Sequence, residues 1–151
     1  FIKELGERVD KISARVDRMT SFMGLMDKRY ATLKEIELSI MLSNLGHNRG
    51  FSVDRGIISP ELPSVDIIVT GKGLVALVEI AMKGNSGDIR QLLKTCKVYE
   101  KYYGFEPNAL FLLSVRRPDK ITFRHAKEKG VIVTMRPGEI IEYLDKMVGN
   151  K

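Results

Sequence analysis

From Val65 to Lys83 the chain reads VDIIVTGKGLVALVEIAMK. Two apolar, β-branched runs are joined here by residues 70–73, which contain two glycines. This pattern predicts a β-hairpin with strands over 65–69 and 74–82. Asp66 lies near the start of the first strand and Glu79 lies late in the second. Because the two strands run in opposite directions, we expect both carboxylates at the same end of the hairpin.

The surroundings of these two carboxylates predict a metal site. A carboxylate between valine and isoleucine neighbours is costly to bury unless it is paired or binds a cation. Carboxylate oxygens are the ligands that Mg²⁺ takes, together with waters and phosphate oxygens. We therefore expect Asp66 and Glu79 to hold one Mg²⁺ or Mn²⁺ ion. The competing interpretation is structural, with Asp66 as a strand-end residue after a Pro-Ser loop.

The elements on either side of the hairpin predict the fold class. A weak strand candidate over 51–58 precedes it. The segments that follow it are a helix from Asp88 to about Tyr103, a strand over 109–115, a helix over 120–129, a strand over 131–134 and a helix over 139–148. With a helix at the start of the chain, the order is α-β-β-β-α-β-α-β-α. This order predicts an α/β domain with a mixed sheet flanked by helices.

Residues 1–35 carry a heptad pattern, with apolar residues at alternating spacings of three and four. Its members are Ile2, Leu5, Val9, Ile12, Val16, Met19, Met23, Met26, Tyr30 and Leu33. Nearly five heptads predict a coiled coil, and so narrow a seam needs cover from another chain or from the domain itself. We expect a homodimer through residues 1–35, parallel or antiparallel. The second domain then covers 36–151, and its first helix is predicted to end at Gly46.

The charge of the chain predicts a phosphate-bearing partner. The 151 residues are one domain's worth of chain and carry a formal net charge of +6. Residues 86–151 hold 13 basic and 8 acidic residues, so the surplus is C-terminal. Four cations recur there at spacings that place them on one helix face, and we call them the basic stripe: Arg90, Lys94, Lys97 and Lys101. A nucleic acid is the natural partner of such a stripe, and an ordinary solvated helix face is the alternative.

Other features limit the class of protein. Cys96 is the single cysteine, so no internal disulfide can form and a reducing, cytoplasmic location is expected. On the apolar side of its helix, Cys96 is predicted to be a buried thiol rather than a nucleophile. No apolar run approaches the roughly 18 residues that cross a bilayer, so no membrane association is expected. The chain begins at Phe1 rather than Met, and we expect a segment upstream of it.

The Asp66 and Glu79 pair with a nearby lysine, in the order α-β-β-β-α-β, resembles the PD-(D/E)XK, or restriction-endonuclease-like, nuclease superfamily. The sequence looks most similar to archaeal members that carry an N-terminal coiled coil. The likeness is carried by residues 65–69, 77–80 and 99–101. It implies Mg²⁺-dependent hydrolysis of DNA phosphodiester bonds, with Asp66 and Glu79 as metal ligands and the main-chain carbonyl of Ile80 as a further ligand.

The resemblance also implies a lysine two residues after the glutamate to orient the attacking water, but that residue is Ala81. Lys83 is on the same strand face, about 6.6 Å further along, and its flexible stem can span much of that gap. Three explanations stay open: a displaced working lysine at position 83, a natural relative without catalysis, and a deliberate Lys→Ala substitution that disables the enzyme. Whether the protein is active is therefore left open.

The same resemblance implies further residues around the site. The helix after the glutamate strand supplies a glutamine and cations toward the nucleic acid, which points to Gln91 beside the basic stripe. Some relatives add a glutamate from the first core helix, which points to Glu35 or Glu37.

Overall fold

The computed structural model describes residues 2–56 and 65–149, with the backbone alone at positions 2, 20–22, 24–28, 55–56 and 65–66. The chain divides into two compact units, Phe1–Lys34 and Glu35–Lys151. The division falls within the first helix, α1, which spans Ile2–Asn48. None of the helices in the described ranges is long and apolar enough to cross a bilayer.

The first unit is helical throughout its described residues, as the heptad pattern predicts. Its seam is exposed to solvent along the helix, with more than half of each side chain accessible at Leu5, Val9, Ile12, Val16, Met19, Met23, Tyr30 and Leu33. The side chains of Ile2 and Met26 lie outside the described residues. This exposure leaves the seam accessible to a second chain. The structure contains one chain, so the homodimer stays a prediction.

The predicted helix end at Gly46 is wrong, because α1 continues to Asn48. Gly46 is buried inside the helix, and a Cβ there would lie 2.9 Å from Val53 Cγ2 and 3.4 Å from Ile141 Cδ1. This glycine therefore permits close packing rather than ending the helix. The chain reverses at Gly50, whose φ of +84° suits a residue without a side chain.

A five-stranded sheet forms the centre of the second unit. Its strands are β1 (Ser52–Gly56), β2 (Val65–Gly71), β3 (Leu74–Lys83), β4 (Ala109–Arg116) and β5 (Val131–Thr134), and they lie in that order across the sheet. The first three form an antiparallel meander, and β3, β4 and β5 are parallel. The predicted mixed sheet is confirmed.

Helices cover both faces of this sheet. They are α2 (Ser86–Tyr103), α3 (Lys120–Lys129) and α4 (Pro137–Gly149), together with the last part of α1. On one face, Leu38 and Leu42 of α1 and Ile140 of α4 are buried in one apolar cluster. On the other face, Ile89 of α2 and Ala126 of α3 belong to a second cluster. The central strands are apolar almost throughout because both of their faces are covered.

The helix α2 begins earlier than the predicted Asp88. Asn85 caps it, since the Asn85 side chain accepts a hydrogen bond from the main-chain N–H of Asp88 at 3.0 Å. In return the Asp88 carboxylate accepts from the main-chain N–H of Asn85 at 2.9 Å. This reciprocal pair is a capping box, so Asp88 is the third helical residue rather than the first.

Candidate metal and nucleic-acid site

Glu79 lies in the central strand β3, on the sheet face that α2 and α3 cover. Side chains alternate between the two faces of a strand, and the neighbours of Glu79 at positions 77 and 81 contact the second apolar cluster. The residue is partly buried, and its Oε2 atom is shielded from solvent. A carboxylate is thus present in an otherwise apolar part of the sheet, as the sequence predicts.

The backbone register of β2 and β3 ends one residue short of positions 66 and 79. Ile67 pairs with Val78, the last pair at this end of the two strands. Asp66 and Glu79 are the next residues along these antiparallel strands, so continuing the register by one step would align them. The side chain of Asp66 lies outside the described residues, so ligation of one ion by the two carboxylates stays a prediction.

Asp66 also lies at an irregularity between β1 and β2. Arg55 pairs with Ile67 and Gly56 pairs with Val65, so Asp66 is the extra residue on the β2 side. An extra residue of this kind forms a β-bulge, which interrupts strand pairing and is common next to active sites. The bulge places the main chain of Asp66 apart from the regular ladder of β1 and β2.

Ala81 and Lys83 continue along the same face of β3. Ala81 packs against the second apolar cluster. Lys83 is exposed at the end of the strand and pairs in register with Arg116 of β4, which is also exposed. Two cations directly opposite each other repel, which makes this end of the sheet locally positive.

Asp119 begins α3 close to Lys83. Its Oδ1 accepts hydrogen bonds from the main-chain N–H of Thr122 at 2.8 Å and from the Thr122 hydroxyl at 2.7 Å. These hydrogen bonds hold the pKa of Asp119 below its ordinary value, and the positive charge of Lys83 lowers the pKa further. Lys83 therefore lies near a carboxylate at the strand end, two positions beyond Ala81.

The loop after β3 is held tightly to β4. Ser114 is buried, and its hydroxyl accepts a hydrogen bond from the main-chain N–H of Gly84 at 2.8 Å and donates one to the carbonyl of Arg116. A Cβ at Gly84 would lie 2.7 Å from Cδ2 of the buried Leu112. This close approach holds the chain against β4 between the end of β3 and the beginning of α2.

A preformed cluster of metal ligands is not seen among the side chains that the structure describes. In those residues no group of three or more His, Cys, Asp or Glu could hold a metal ion. Mg²⁺ commonly uses only one or two protein carboxylates and completes its shell with waters and phosphate oxygens. A pair formed by Asp66 and Glu79 would be of that kind.

The basic stripe lies on the solvent side of α2. All four of its residues and Gln91 are exposed, and none of the four cations forms an ion pair with any residue that the structure describes. The neighbouring helix α3 adds four more exposed cations: Lys120, Arg124, Lys127 and Lys129. The helical layer on the Glu79 side of the sheet is therefore strongly basic at its surface.

Cys96 is partly buried beside Glu100. Its Sγ donates a hydrogen bond to Glu100 Oε1 at 3.8 Å. Burial, and then the negative charge of Glu100, raise the pKa of the Cys96 thiol to about 11. The thiol is protonated at neutral pH and is a poor nucleophile.

Two structural features of the region around the stripe and Lys83 are not predicted from the sequence. The first is the position of Arg116, which the parallel pairing of β3 and β4 brings opposite Lys83. The second is a group of aromatic residues at the end of α2, which we call the aromatic cluster: Tyr99, Tyr102, Tyr103 and Phe105. The signal for the cluster is present in the sequence, since residues 99–105 read YEKYYGF directly after the stripe.

Comparisons with known proteins give no match of this chain to a protein-family model, to a curated protein or to a solved structure. The nuclease resemblance of the sequence therefore stays a prediction. Functional interpretation rests on the residues of this chain and on their geometry.

Proposed function

We propose that this chain is a nuclease-like DNA-binding protein that hydrolyses phosphodiester bonds with Mg²⁺ or Mn²⁺ held by Asp66 and Glu79. The observation that carries the proposal is that these two acidic positions directly follow the pair Ile67 and Val78 on neighbouring strands of an apolar sheet. The position of Glu79 on the face covered by α2 supports it, because the same helix carries the basic stripe.

The residues of the chain divide the work as follows. Glu79 and Asp66 supply carboxylate oxygens, and the carbonyl of Ile80 supplies a third oxygen. The stripe neutralises DNA phosphates, which attracts the polyanion without regard to its sequence. The chemistry that a bound divalent ion supplies at such a site is an activated water and charge stabilisation at the scissile phosphate. Lys83 lies at the strand end, where it would contact the water or the phosphate.

The test is cleavage of plasmid and single-stranded DNA in the presence of Mg²⁺ or Mn²⁺. We expect cutting that stops with chelator and is abolished by Asp66→Ala and by Glu79→Ala. Asp54→Ala is the matched control, because Asp54 is an exposed acidic residue on the neighbouring strand β1. Cleavage that survives Asp66→Ala would rule out this assignment of the metal ligands.

A second candidate function is a catalytically silent module that binds nucleic acid or a protein partner. The position of Ala81 favours it, because a methyl group packed against apolar side chains occupies the position where the nuclease resemblance implies a lysine. Ala81→Lys separates the two candidates. A gain of metal-dependent cleavage identifies a disabled nuclease, whereas salt-sensitive DNA binding without any cleavage identifies the binding module.

The exposed seam of the first unit supports a homodimer as the assembled form. Large apolar side chains occupy the a and d positions of the heptads, and more than half of each one that the structure describes is accessible in the single chain. Burying them against a second copy would remove this apolar surface from water.

A further inference from the structure

The aromatic cluster leaves three large rings exposed at the end of α2. Tyr102 is 58% exposed, Tyr103 is 49% exposed and Phe105 is 51% exposed. Tyr99 anchors the group, since it is 5% exposed and belongs to the second apolar cluster. A group of exposed aromatic rings on the surface is typical of a binding site.

The rings contact one another and form a continuous surface. The ring centroids of Tyr99 and Tyr103 are 4.6 Å apart, and those of Tyr102 and Tyr103 are 6.0 Å apart. The Phe105 ring stands edge-on to Tyr99 at 5.6 Å and lies 6.4 Å from Tyr103. Mutual packing limits the motion of these side chains, so little conformational entropy is lost when a flat ligand stacks on them.

Cations lie on the same helix as the rings. Lys101 immediately precedes Tyr102 in the chain, and Lys97 and Lys94 lie about one and two turns earlier on α2. Lys97 also lines a cleft of about 430 Å³ together with Lys129, at the end of α3. Two carboxylates line the same cleft, those of Glu100 and Glu106, and Glu100 accepts a hydrogen bond from Cys96.

This combination of groups favours a nucleic acid over a protein as the ligand. The exposed large apolar residues on α2 and the loop that follows it are all aromatic, without an exposed leucine, isoleucine or methionine among them. Aromatic faces beside lysines match the two parts of a single strand, because bases stack on rings and phosphates bind cations. In duplex DNA the faces of the bases are already stacked on each other and are not accessible to protein rings.

We propose that unpaired nucleotides of a single-stranded DNA segment stack on Tyr102, Tyr103 and Phe105 while their phosphates follow Lys101, Lys97 and Lys94. This inference rests on the proposed DNA binding by the basic stripe and narrows its substrate to DNA with a single-stranded region. The stripe alone attracts any DNA, and the aromatic cluster selects strands whose bases are free.

The test uses the full chain and two labelled probes, an oligothymidylate of about 12 nucleotides, which lies within the usual size range of such sites, and a blunt duplex of similar length. Tyr102→Leu with Tyr103→Leu keeps the apolar bulk but removes the ring faces. We expect this variant to bind the oligothymidylate at least about fivefold more weakly, since each stacked base contributes about 1–3 kcal/mol. Its affinity for the duplex should change by less than about twofold.

Two controls separate stacking from other causes. Tyr102→Phe with Tyr103→Phe keeps the rings and should retain oligothymidylate binding. Tyr143→Leu removes an exposed tyrosine on the other face of the sheet and should have no effect on either probe. If the double leucine variant binds oligothymidylate as tightly as the wild type, the inference is overturned. The exposed rings are then an apolar surface for a protein partner.

A second measurement does not depend on the folding of the leucine variant. The chain contains no tryptophan, so its ultraviolet emission comes from tyrosine. Oligothymidylate should quench this emission in the wild type, and the quenching should fall in the double phenylalanine variant although binding persists. Unchanged quenching would count against stacking on these two residues.

The outcomes also distinguish this inference from the proposed function. Duplex binding that depends on Lys94 and Lys97, with no dependence of single-strand binding on the rings, overturns the inference alone. Failure of the wild type to bind either probe overturns the inference and the DNA-binding proposal together.

Discussion

Asp119 caps the beginning of α3 and lies near Lys83 at the end of β3. Its negative charge therefore contributes to the stability of the fold. Its carboxylate accepts two hydrogen bonds from Thr122 and lies near Lys83. Both interactions favour the ionised form, which is why the pKa lies below its ordinary value. A lowered pKa in the folded state stabilises the fold at pH values above the unfolded pKa.

We expect the stabilisation by Asp119 to disappear as pH falls through the folded pKa, because the carboxylate is then protonated in both states. Asp119→Asn keeps a good capping residue but removes the titration. The difference in the free energy of unfolding between wild type and this variant should therefore shrink as the pH falls below about 3.9, the ordinary pKa of an aspartate. Chemical denaturation at each pH measures it, with Glu128→Gln on the same helix as the control for loss of one charge. A difference that stays constant would contradict the role assigned to Asp119.

Gly71 lies where the surrounding atoms leave no room for a side chain. Its φ is +156°, and a Cβ there would lie 2.8 Å from the Gly50 carbonyl oxygen and 3.1 Å from Phe51 Cα. These contacts are with backbone atoms, which cannot move aside as a side chain can. The tight approach joins the end of β2 to the turn that follows α1.

Gly71→Ala should therefore destabilise the protein more than Gly130→Ala. Gly130 has a φ of +75° but no atom within 4 Å of an added Cβ, so alanine there costs only the left-handed backbone penalty of about 1–2 kcal/mol. For Gly71→Ala we expect a loss of about 3 kcal/mol or more in the free energy of unfolding. Equal losses in urea denaturation would show that crowding at Gly71 is unimportant.

At the scale of elements, α2 combines a buried face with a charged one. Its apolar residues contact the sheet at Ile89 and Leu92, and this packing orients the basic stripe toward solvent. The helix backbone keeps the four cations on one face, whatever conformation each side chain adopts.

We expect the stripe to set the salt dependence of DNA binding. Each phosphate neutralised contributes a slope of about −0.9 to the plot of log K against log salt concentration. Lys94→Ala with Lys97→Ala should make this slope shallower by about 1.8 on duplex DNA. Lys3→Ala with Lys11→Ala is the matched control, because both are exposed lysines of the first unit. An unchanged slope in the stripe variant would place the DNA contacts elsewhere.

At the scale of the whole molecule, the first unit contributes an exposed apolar seam and the second unit contributes its own core. The second unit is internally complete, with apolar clusters on both faces of its sheet. The described seam side chains from Leu5 to Leu33 belong to the first unit and are exposed.

Ile12→Asp should convert the protein from dimer to monomer. Ile12 is 60% exposed in the single chain, so the substitution leaves the helix intact and acts only on a partner that covers the seam. Ala14→Asp is the control, because Ala14 is exposed and lies at the outermost heptad position. Sedimentation velocity at micromolar concentration measures the mass of each form. A wild-type monomer under these conditions would contradict the homodimer.

Most of the element order could be predicted from local signals. Residues 120–129 and 131–134 match α3 and β5 at both ends, because Gly130 marks the boundary between a helical and a strand pattern. Boundaries that depend on side-chain geometry are harder to predict: α2 begins two residues before the predicted Asp88, because Asn85 and Asp88 form a capping box. The sequence does not show why residue 46 is a glycine. The reason is that Val53 and Ile141, which are distant in sequence, pack where a side chain at this position would lie.

The sequence by itself determined the kinds of element, their order, the heptad seam and the presence of two carboxylates in apolar strands. These properties depend on periodicity and on neighbours in the chain, which a single sequence records. Only the tertiary structure decided that position 66 lies at a bulge between β1 and β2, that Lys83 pairs in register with Arg116, and that the aromatic rings at the end of α2 are exposed. Register between strands and packing of helices join residues far apart in the chain, and no local pattern encodes those distances.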